Sequence, residues 1–401
     1  MTALSGPLKG MRVIELAHIM AGPVCGLMLA DMGADVIKVE KPGGDDSRRF
    51  VPPDIKGESA AYMMMNRNKR GIALNLQDPA AVDVLRRLLA DADVVIENYR
   101  KGTMAKLGLS YEDLAKLNPR LIYCEISGFG RTGPYADRGG FDLIAQGMAG
   151  LMSITGEAPG RAPVKVAAPI SDINSGILAA MGISAAYSNM LKTGLGQKVD
   201  TSLFEAAIVQ TYWQSAIAFA TGEKPQPLGS AHPLNAPYQA FATRDGWINI
   251  GAANQANWLR FLDVIGAPDL NDDPRFATNA DRMQNLPELV EILNGYLVTD
   301  TTENWLTRME QAHLPAGPVN DILHMHRDPQ AVARDMIVEV DHPIAGLVKT
   351  LGHPVKFSRT PARVASAAPV LGQHTRDVLQ EAGFDRDAIE QLIRTEAVIA
   401  A

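Results

Sequence analysis

The chain has 401 residues, of which 46% are hydrophobic and 21% charged, with 38 basic against 45 acidic side chains and a formal net charge of −7. That length exceeds what one hydrophobic core serves and predicts two domains, while the acidic balance excludes nucleic acid and an anionic membrane surface as expected partners. The two cysteines, Cys25 and Cys124, form neither a CxxC nor a zinc spacing, so neither a disulfide framework nor a metal site is expected and a reducing, cytoplasmic setting is.

The first ten residues, MTALSGPLKG, lack an apolar run, which predicts no secretory leader. Apolar stretches elsewhere are broken well short of a membrane span. MRVIELA, residues 11–17, reads as a buried strand, HIMAGP as a loop, VCGLMLADMG as a short helix and DVIKVE, residues 35–40, as the next strand. Strand, helix and strand in so short a space predict a βαβ unit and a parallel sheet. The pattern recurs. Asp78-Pro79 opens a helix with an N-cap and a proline at its first position, and DVVIENY follows as a strand. Ser110 to Asp113 resembles a capping box, and LIYCEIS, residues 121–127, is the next strand.

PISDINSGILAA, residues 169–180, begins a helix expected to stop near Gly194. Its one acid, Asp172, suits both a cap of that helix and a nucleophile, and the two roles are compatible because a helix N-terminus lowers the cost of holding an anion. QKVDTSLF is a strand and residues 205–221 are helical. Residues 222–239 are rich in Pro and Gly. FATRDGWINIGA predicts a hairpin turning at Asp245-Gly246, followed by helices at 255–265 and 287–297 and a second loop at 313–321. The expected organisation is a large domain over 1–221, a linker over 222–240, a small α+β domain over 241–312, a linker over 313–330, and residues 331–401 completing the large domain.

Gly128, Gly130 and Gly133 spell GxGxxG after a strand. No apolar helix follows and no acid ends the next strand at the required distance, so dinucleotide binding is not expected. A glycine-rich turn that lets the backbone approach a ligand or a neighbouring element is. In doubly wound sheets ligands bind beyond the carboxyl ends of strands. Those ends carry Lys41 and Asn98-Tyr99-Arg100, with Arg48, Arg49, the run Asn66 to Arg70, Lys101 and Lys106 nearby. Each alone reads as a solvated charge; together they suit a polyphosphate. His324 and His326 lack a third ligand for a metal. His18, after the first strand, suits either a ligand contact or a structural hydrogen bond.

In order, IELAHIMAGP, GADVIKVEKPGGDDSR, NRNKRGIALNL, VVIENYRKGTMAKLGL, NPRLIYCEISGFGRTGPY, GFDLIAQGMAGLMSITG, PISDINSGILAA, KTGLGQKVDTSLFEA and LGQHTRDVL closely resemble the class III CoA-transferases. That group includes formyl-CoA and carnitine CoA-transferases and α-methylacyl-CoA racemase. The resemblance implies an α/β fold: a Rossmann-like large domain with a parallel sheet, a smaller α+β domain, and an open-ring subunit forming an interlocked homodimer. It implies coenzyme A or acyl-CoA as substrate, no metal, and an aspartate nucleophile at Asp172. It places CoA contacts at Met20, Ala21, Lys41, Leu74, Asn75, Leu76, Gln77, Asn98, Tyr99, Arg100, Lys106, Gly139, Gly140, Phe141 and Asp142.

A carboxylate is ionised at neutral pH and needs no general base to attack a thioester. The racemase of the group pairs its aspartate with a histidine, at a position where this chain has Phe141. Phenylalanine carries no proton, so two-base racemisation is disfavoured. An intramolecular CoA shift uses the same aspartate chemistry. A non-catalytic acyl-CoA-binding protein is the alternative from another class, distinguished by loss of the nucleophile. The tetraglycine loop of formyl-CoA transferases is absent from GSAHPLNAPYQAF. This segment resembles members acting on dicarboxylates such as succinate or glutarate, with His18, His232 and Asn235 as candidate substrate contacts. Phe141, Met20 and Met152 are candidates to line a larger apolar pocket.

Overall fold

The structure, a computed structural model, describes residues 6–401. Residues 1–5, part of the stretch read above as carrying no leader, lie outside the described residues. The chain divides into two compact units. The first comprises the residues up to Leu151, Lys165–Ala216 and Pro329–Ala401; the second comprises Met152–Val164 and Ile217–Asp328.

The first unit is built on strands β1 (Arg12–Glu15), β2 (Asp35–Glu40), β3 (Arg70–Leu74), β4 (Val94–Glu97), β5 (Ile122–Ser127) and β6 (Lys198–Ser202). All six run parallel, in the spatial order β3-β2-β1-β4-β5-β6. Parallel strands covered on both faces need apolar residues at successive positions. Val13-Ile14, Val36-Ile37 and Val94-Val95-Ile96 meet that need and are fully buried. The order reverses between β1 and β4, and open α/β sheets bind ligands beyond the carboxyl ends of strands at such a point.

Helix α1 (Ala21–Asp31) joins β1 to β2, and α2 (Pro79–Ala90) lies between β3 and β4. Asp78 caps α2 by accepting the Ala80 N–H at 2.9 Å, with Pro79 at the first position as expected. Between β5 and β6 lie α3 (Asp142–Met148) and the long α4 (Ile170–Thr193). Gly194 ends α4 at φ 76°, the left-handed stop expected from the sequence. Two boundaries differ. The helix α1 starts at Ala21 and takes in Gly22-Pro23, because a proline in the first turn withholds only an N–H that has no helical partner. The single helix expected over 205–221 is interrupted by a 3₁₀ turn, Val209–Thr211, where the Thr211 hydroxyl donates to the Ile208 carbonyl at 2.8 Å and competes with the backbone.

The second unit carries an antiparallel sheet of β7 (Tyr238–Ala242), β8 (Trp247–Gly251) and β9 (Ala316–Pro318). The expected Asp245-Gly246 hairpin joins the first two. The loop expected at 313–321 contributes β9, because its Ala316 to Pro318 backbone finds partners along the free edge of β8. Helices α5 (Gln255–Ile265), α6 (Leu286–Leu297) and α7 (Thr302–Gln311) bury Trp258, Phe261, Leu293 and Trp305 against Ile248 and Ile250. The chain then forms a hairpin, β10 (Ile337–His342) with β11 (Gly346–Leu351), and ends in β12 (Val398–Ile399), antiparallel to β3. Among the described residues no helix is long and apolar enough to cross a membrane.

Candidate active site

The loops leaving β1 and β4 are tied together at the point where the strand order reverses. The His18 N–H donates to Asn98 Oδ1 at 3.0 Å, and Asn98 Nδ2 returns a bond to the His18 carbonyl at 2.8 Å. The next residue, Ile19, has φ 69°, a strained setting for a β-branched side chain. Asp45 holds it there, accepting the Ile19 N–H at 3.2 and 3.3 Å on its two oxygens. Asp45 is itself fixed by Lys38 at 2.9 Å and by Ser47. Lys38 also meets Glu15 at 3.1 Å and the Ala17 carbonyl at 2.9 Å, and Lys69 reaches the other Glu15 oxygen at 2.8 Å. Glu15, Lys38, Asp45 and Lys69 are all buried, so mutual pairing is what makes their charges tolerable. Lys38 holds Asp45 well below the usual carboxylate range.

This arrangement corrects the basic set proposed for polyphosphate. Arg67 is buried against Asp31, Arg70 forks onto Asp35 and reaches Glu381, and Arg48 is taken by Glu40 and stacked on Tyr62 at 3.6 Å. With Lys69 they are structural charges. Lys41 stays exposed and pairs with Asp46 at 2.6 Å.

Asp172 is the third residue of α4. It does not cap the helix, which corrects that half of the sequence reading: Pro169 holds the N-cap position, and Asp142 Oδ1 accepts the Ser171 N–H at 3.0 Å. Asp142 also accepts from Gln146 at 2.8 Å. The Asp172 carboxylate makes no hydrogen bond or ion pair among the described residues. Burial, reinforced by the nearby Asp142 charge, pushes it up to about 6. Gly176, one turn on, faces α1 so closely that a Cβ there would lie 2.5 Å from the Ala21 carbonyl oxygen. The start of α1 is thus pressed against the start of α4, and no side chain caps α1.

Asp172 opens onto a cavity of about 370 Å³. His18, Met20, Ala21, Asn98, Tyr99, Arg100, Gly139, Gly140 and Phe141, all expected from the sequence, line it. Asp142, also expected, does not line it. A second cavity of about 220 Å³ shares His18 and Tyr99 and adds Lys41. A third, of about 620 Å³, shares Lys41 and Tyr99 and is lined by Leu74, Asn75, Leu76 and Gln77. Tyr99 alone borders all three. Lys106 lines none, although its neighbours Thr103 and Leu107 line the third. His232, Asn235 and Met152 belong to the second unit and line none of the three. Within that unit His232 Nδ1 accepts the Leu234 N–H at 3.1 Å.

Ser127, Gly128 and Arg131 also line the Asp172 cavity. The sequence reading assigned none of them to the site, although it expected the glycine-rich turn after β5 to approach a ligand or a neighbouring element. Its glycines do serve close approach: a Cβ on Gly128 would meet Gly140 at 2.7 Å. Burial lowers the His18 imidazole from its ordinary value. The assembled groups are therefore one basic, unpaired carboxylate, one imidazole, and three cavities that share Tyr99 in their lining. Among the described residues no group of three or more His, Cys, Asp or Glu side chains is placed to hold a metal.

Comparison with known proteins identifies the family. Over 390 residues the chain is 38% identical to succinyl-CoA:glutarate CoA-transferase of Mus musculus, covering 96% of this chain and 89% of that one. Over 382 residues it is 42% identical to succinate–glutarate CoA-transferase of Agrobacterium fabrum, covering 94% and 95%. The crystal structure of a CAIB/BAIF family protein from Brucella suis, 38% identical, superposes with a TM-score of 0.85 over 94% of this chain and all of that one. The model of CoA-transferase family III matches residues 8–375, and the chain belongs to that family.

Proposed function

We propose that the protein moves CoA from an acyl-CoA thioester to a carboxylic acid, with Asp172 as the covalent nucleophile and dicarboxylates of the succinate and glutarate class as substrates. The observation that carries this reading is the bare carboxylate of Asp172 on the first of three cavities that share Tyr99 in their lining, which together we read as the CoA track. The names of the mouse and Agrobacterium relatives supply the substrate class.

The carboxylate attacks the thioester carbonyl, and the tetrahedral oxyanion collapses with expulsion of the CoA thiolate. An acyl–aspartyl anhydride remains. The thiolate attacks the aspartyl carbonyl, releases the first acid and leaves an aspartyl–CoA thioester. The acceptor carboxylate attacks that thioester and again frees the thiolate. The thiolate then takes the new acyl group and restores Asp172. A carboxyl near 6 stays mostly ionised at pH 7, yet is more basic and less hydrated than an ordinary aspartate. The uncapped start of α1, at Ala21 on the same cavity, suits stabilisation of the oxyanions.

The adenine and phosphate end of CoA would lie toward Leu74 to Gln77, Lys41 and Lys106, and the thioester toward Met20, Asn98 to Arg100, and Gly139 to Phe141. A Rossmann-like large domain agrees with the strand order. A homodimer of interlocked open rings agrees with the exposed apolar face of α4, Ile177, Met181 and Leu191, and with exposed Tyr212 and Trp213. Free thiols at Cys25 and Cys124 agree with a cytoplasmic location. One observation favours a second reading, isomerisation at the α-carbon: His18 shares the Asp172 cavity. Phe141, exposed on the same cavity wall, offers no second base.

The test is incubation with an acyl-CoA and a panel of acids, followed by mass spectrometry. CoA exchange is expected, with a hydroxylamine-trapped hydroxamate on the peptide holding Asp172. Exchange that survives Asp172→Ala sinks the mechanism. Solvent deuterium entering the α-carbon without exchange selects isomerisation.

A further inference from the structure

Three carboxylates stand side by side where the sheet approaches the Asp172 cavity. Glu97 of β4 is in register with Glu125 of β5, and Glu125 with Asp200 of β6. Glu97 and Glu125 are buried, and an unrelieved row of acids there would be strongly unfavourable. Arg131, on the glycine-rich turn after β5, spans the row. Its Nη2 donates to both oxygens of Glu97 at 3.0 and 3.2 Å, its Nε stands 3.2 Å from Glu125, and its backbone N–H donates to Asp200 at 3.1 Å. Lys198 pairs with the other oxygen of Glu125.

Glu97, whose carboxyl burial and the adjacent Glu125 push up to about 7 against the pull of Arg131, joins Arg131 in gripping one residue of the neighbouring loop. Glu97 Oε2 accepts the Tyr99 N–H at 2.7 Å, and Arg131 Nη2 donates to the Tyr99 carbonyl at 2.9 Å. Both polar groups of the Tyr99 backbone are held, and Tyr99 is the residue that borders all three cavities. Arg131 forms no bond to Asp172 or to the turn that carries it.

We propose that Arg131, working through Glu97, is a positioning residue that sets Tyr99 at the junction of the track and so governs how CoA is held, not how Asp172 reacts. The inference rests on reading the three cavities as the CoA track. Charge-assisted bonds to a buried main chain are strong because both partners have left water. A lysine cannot reproduce the fork that reaches Glu97, Glu125 and Tyr99 together.

The test compares Arg131→Gln and Arg131→Lys with wild type in steady-state exchange and in calorimetric titration with CoA alone. For Arg131→Gln the KM for acyl-CoA and the Kd for CoA are expected to rise about tenfold or more, with Arg131→Lys between, while kcat and the KM for the acceptor acid change by less than about threefold. A merely structural role would lower Tm and the active fraction but leave KM and Kd unchanged, and that result overturns the proposal. So does a fall in kcat alone. If Arg131→Gln does not fold, the double variant Glu97→Gln with Arg131→Gln removes both charges together and is read by the same criteria. A wild type that binds CoA but transfers none would refute the proposed function while the Kd series still decides the role of Arg131.

Discussion

Asp142 Oδ1 accepts the Ser171 N–H at 3.0 Å, one residue before Asp172 in the first turn of α4. Two acids therefore meet at one helix start with unequal duties. Asp142 is buried and satisfied, by Ser171 and by Gln146 at 2.8 Å. Asp172 is left bare. Because Asp142 takes the Ser171 N–H, neither oxygen of Asp172 is spent on that donor. The Asp142 charge, added to burial, keeps Asp172 basic. A nucleophile bonded to those donors would be a weaker one.

Asp142→Asn separates the two duties. The amide oxygen still accepts the Ser171 N–H, while the negative charge is gone. Asp172 should become more acidic, so the acid limb of the pH profile of kcat/KM moves below its wild-type position near 6. The new amide meets the Gln146 amide and loses that bond, at about 1 kcal/mol. An acid limb that stays in place would show that burial alone sets Asp172.

Asp172→Asn should abolish exchange and stabilise the fold. The Asp172 carboxyl sits at about 6 in the folded chain against its ordinary 3.8. Between those values the folded chain holds a proton that the unfolded chain has lost, so stability falls as pH rises through the window and stays lower above it. The asparagine variant escapes this penalty. Its Tm should exceed wild type at pH 7 and match it near pH 4, with a gain of at most about 3 kcal/mol at ~1.4 kcal/mol per pKa unit. Thermal unfolding at the two pH values decides it.

Much of the fold was legible because parallel strands announce themselves as Val/Ile runs, as at Val94 to Ile96, and because Asp78-Pro79 and Gly194 punctuate helices through local chemistry. Strand ends and family motifs pointed to residues that line the Asp172 cavity, as at Asn98 to Arg100. What stayed hidden was pairing at a distance. Nothing local distinguishes Lys69 or Arg67, which are buried counterions, from Lys41, which is exposed. The row formed by Glu97, Glu125 and Asp200 depends on strand register, which a single sequence does not display. Asp172 looked like a cap because acids favour helix starts, and only the position of Asp142 shows that the capping is done from another helix.

Gly176→Ala tests the contact between α1 and α4. The added Cβ would lie 2.5 Å from the Ala21 carbonyl oxygen and 2.8 Å from Val24 Cβ, both on a packed helix with nowhere to retreat. Overpacking of this kind costs about 1–3 kcal/mol. Relief requires α1 to move, carrying Met20 and Ala21 away from Asp172. Chemical denaturation should show the loss, and kcat should fall more than about tenfold if geometry at the reacting carbon is disturbed. Retained kcat would mean that the start of α1 takes no part in the reaction.

Lys38→Met tests whether the buried charges beneath the His18-Ile19 loop act as one unit. Methionine fills the space but leaves Asp45 without its cation, while Glu15 keeps Lys69. Breaking a buried pair from one side costs about 3–5 kcal/mol. The pH dependence identifies the cause. In the wild type Asp45 is held well below the usual range by Lys38, so it contributes stability above its unfolded value of 3.8, and that contribution is lost as pH falls through the lower folded value. The variant lacks it, so the gap between variant and wild type should be widest at neutral pH and narrow progressively below pH 4. Asp45 also holds the Ile19 N–H against the strain of φ 69°. The variant should therefore bind CoA more weakly even where it remains folded, in calorimetric titrations run well below its Tm. Unchanged affinity would separate the Ile19 bend from ligand binding and leave the buried charges a role in folding alone.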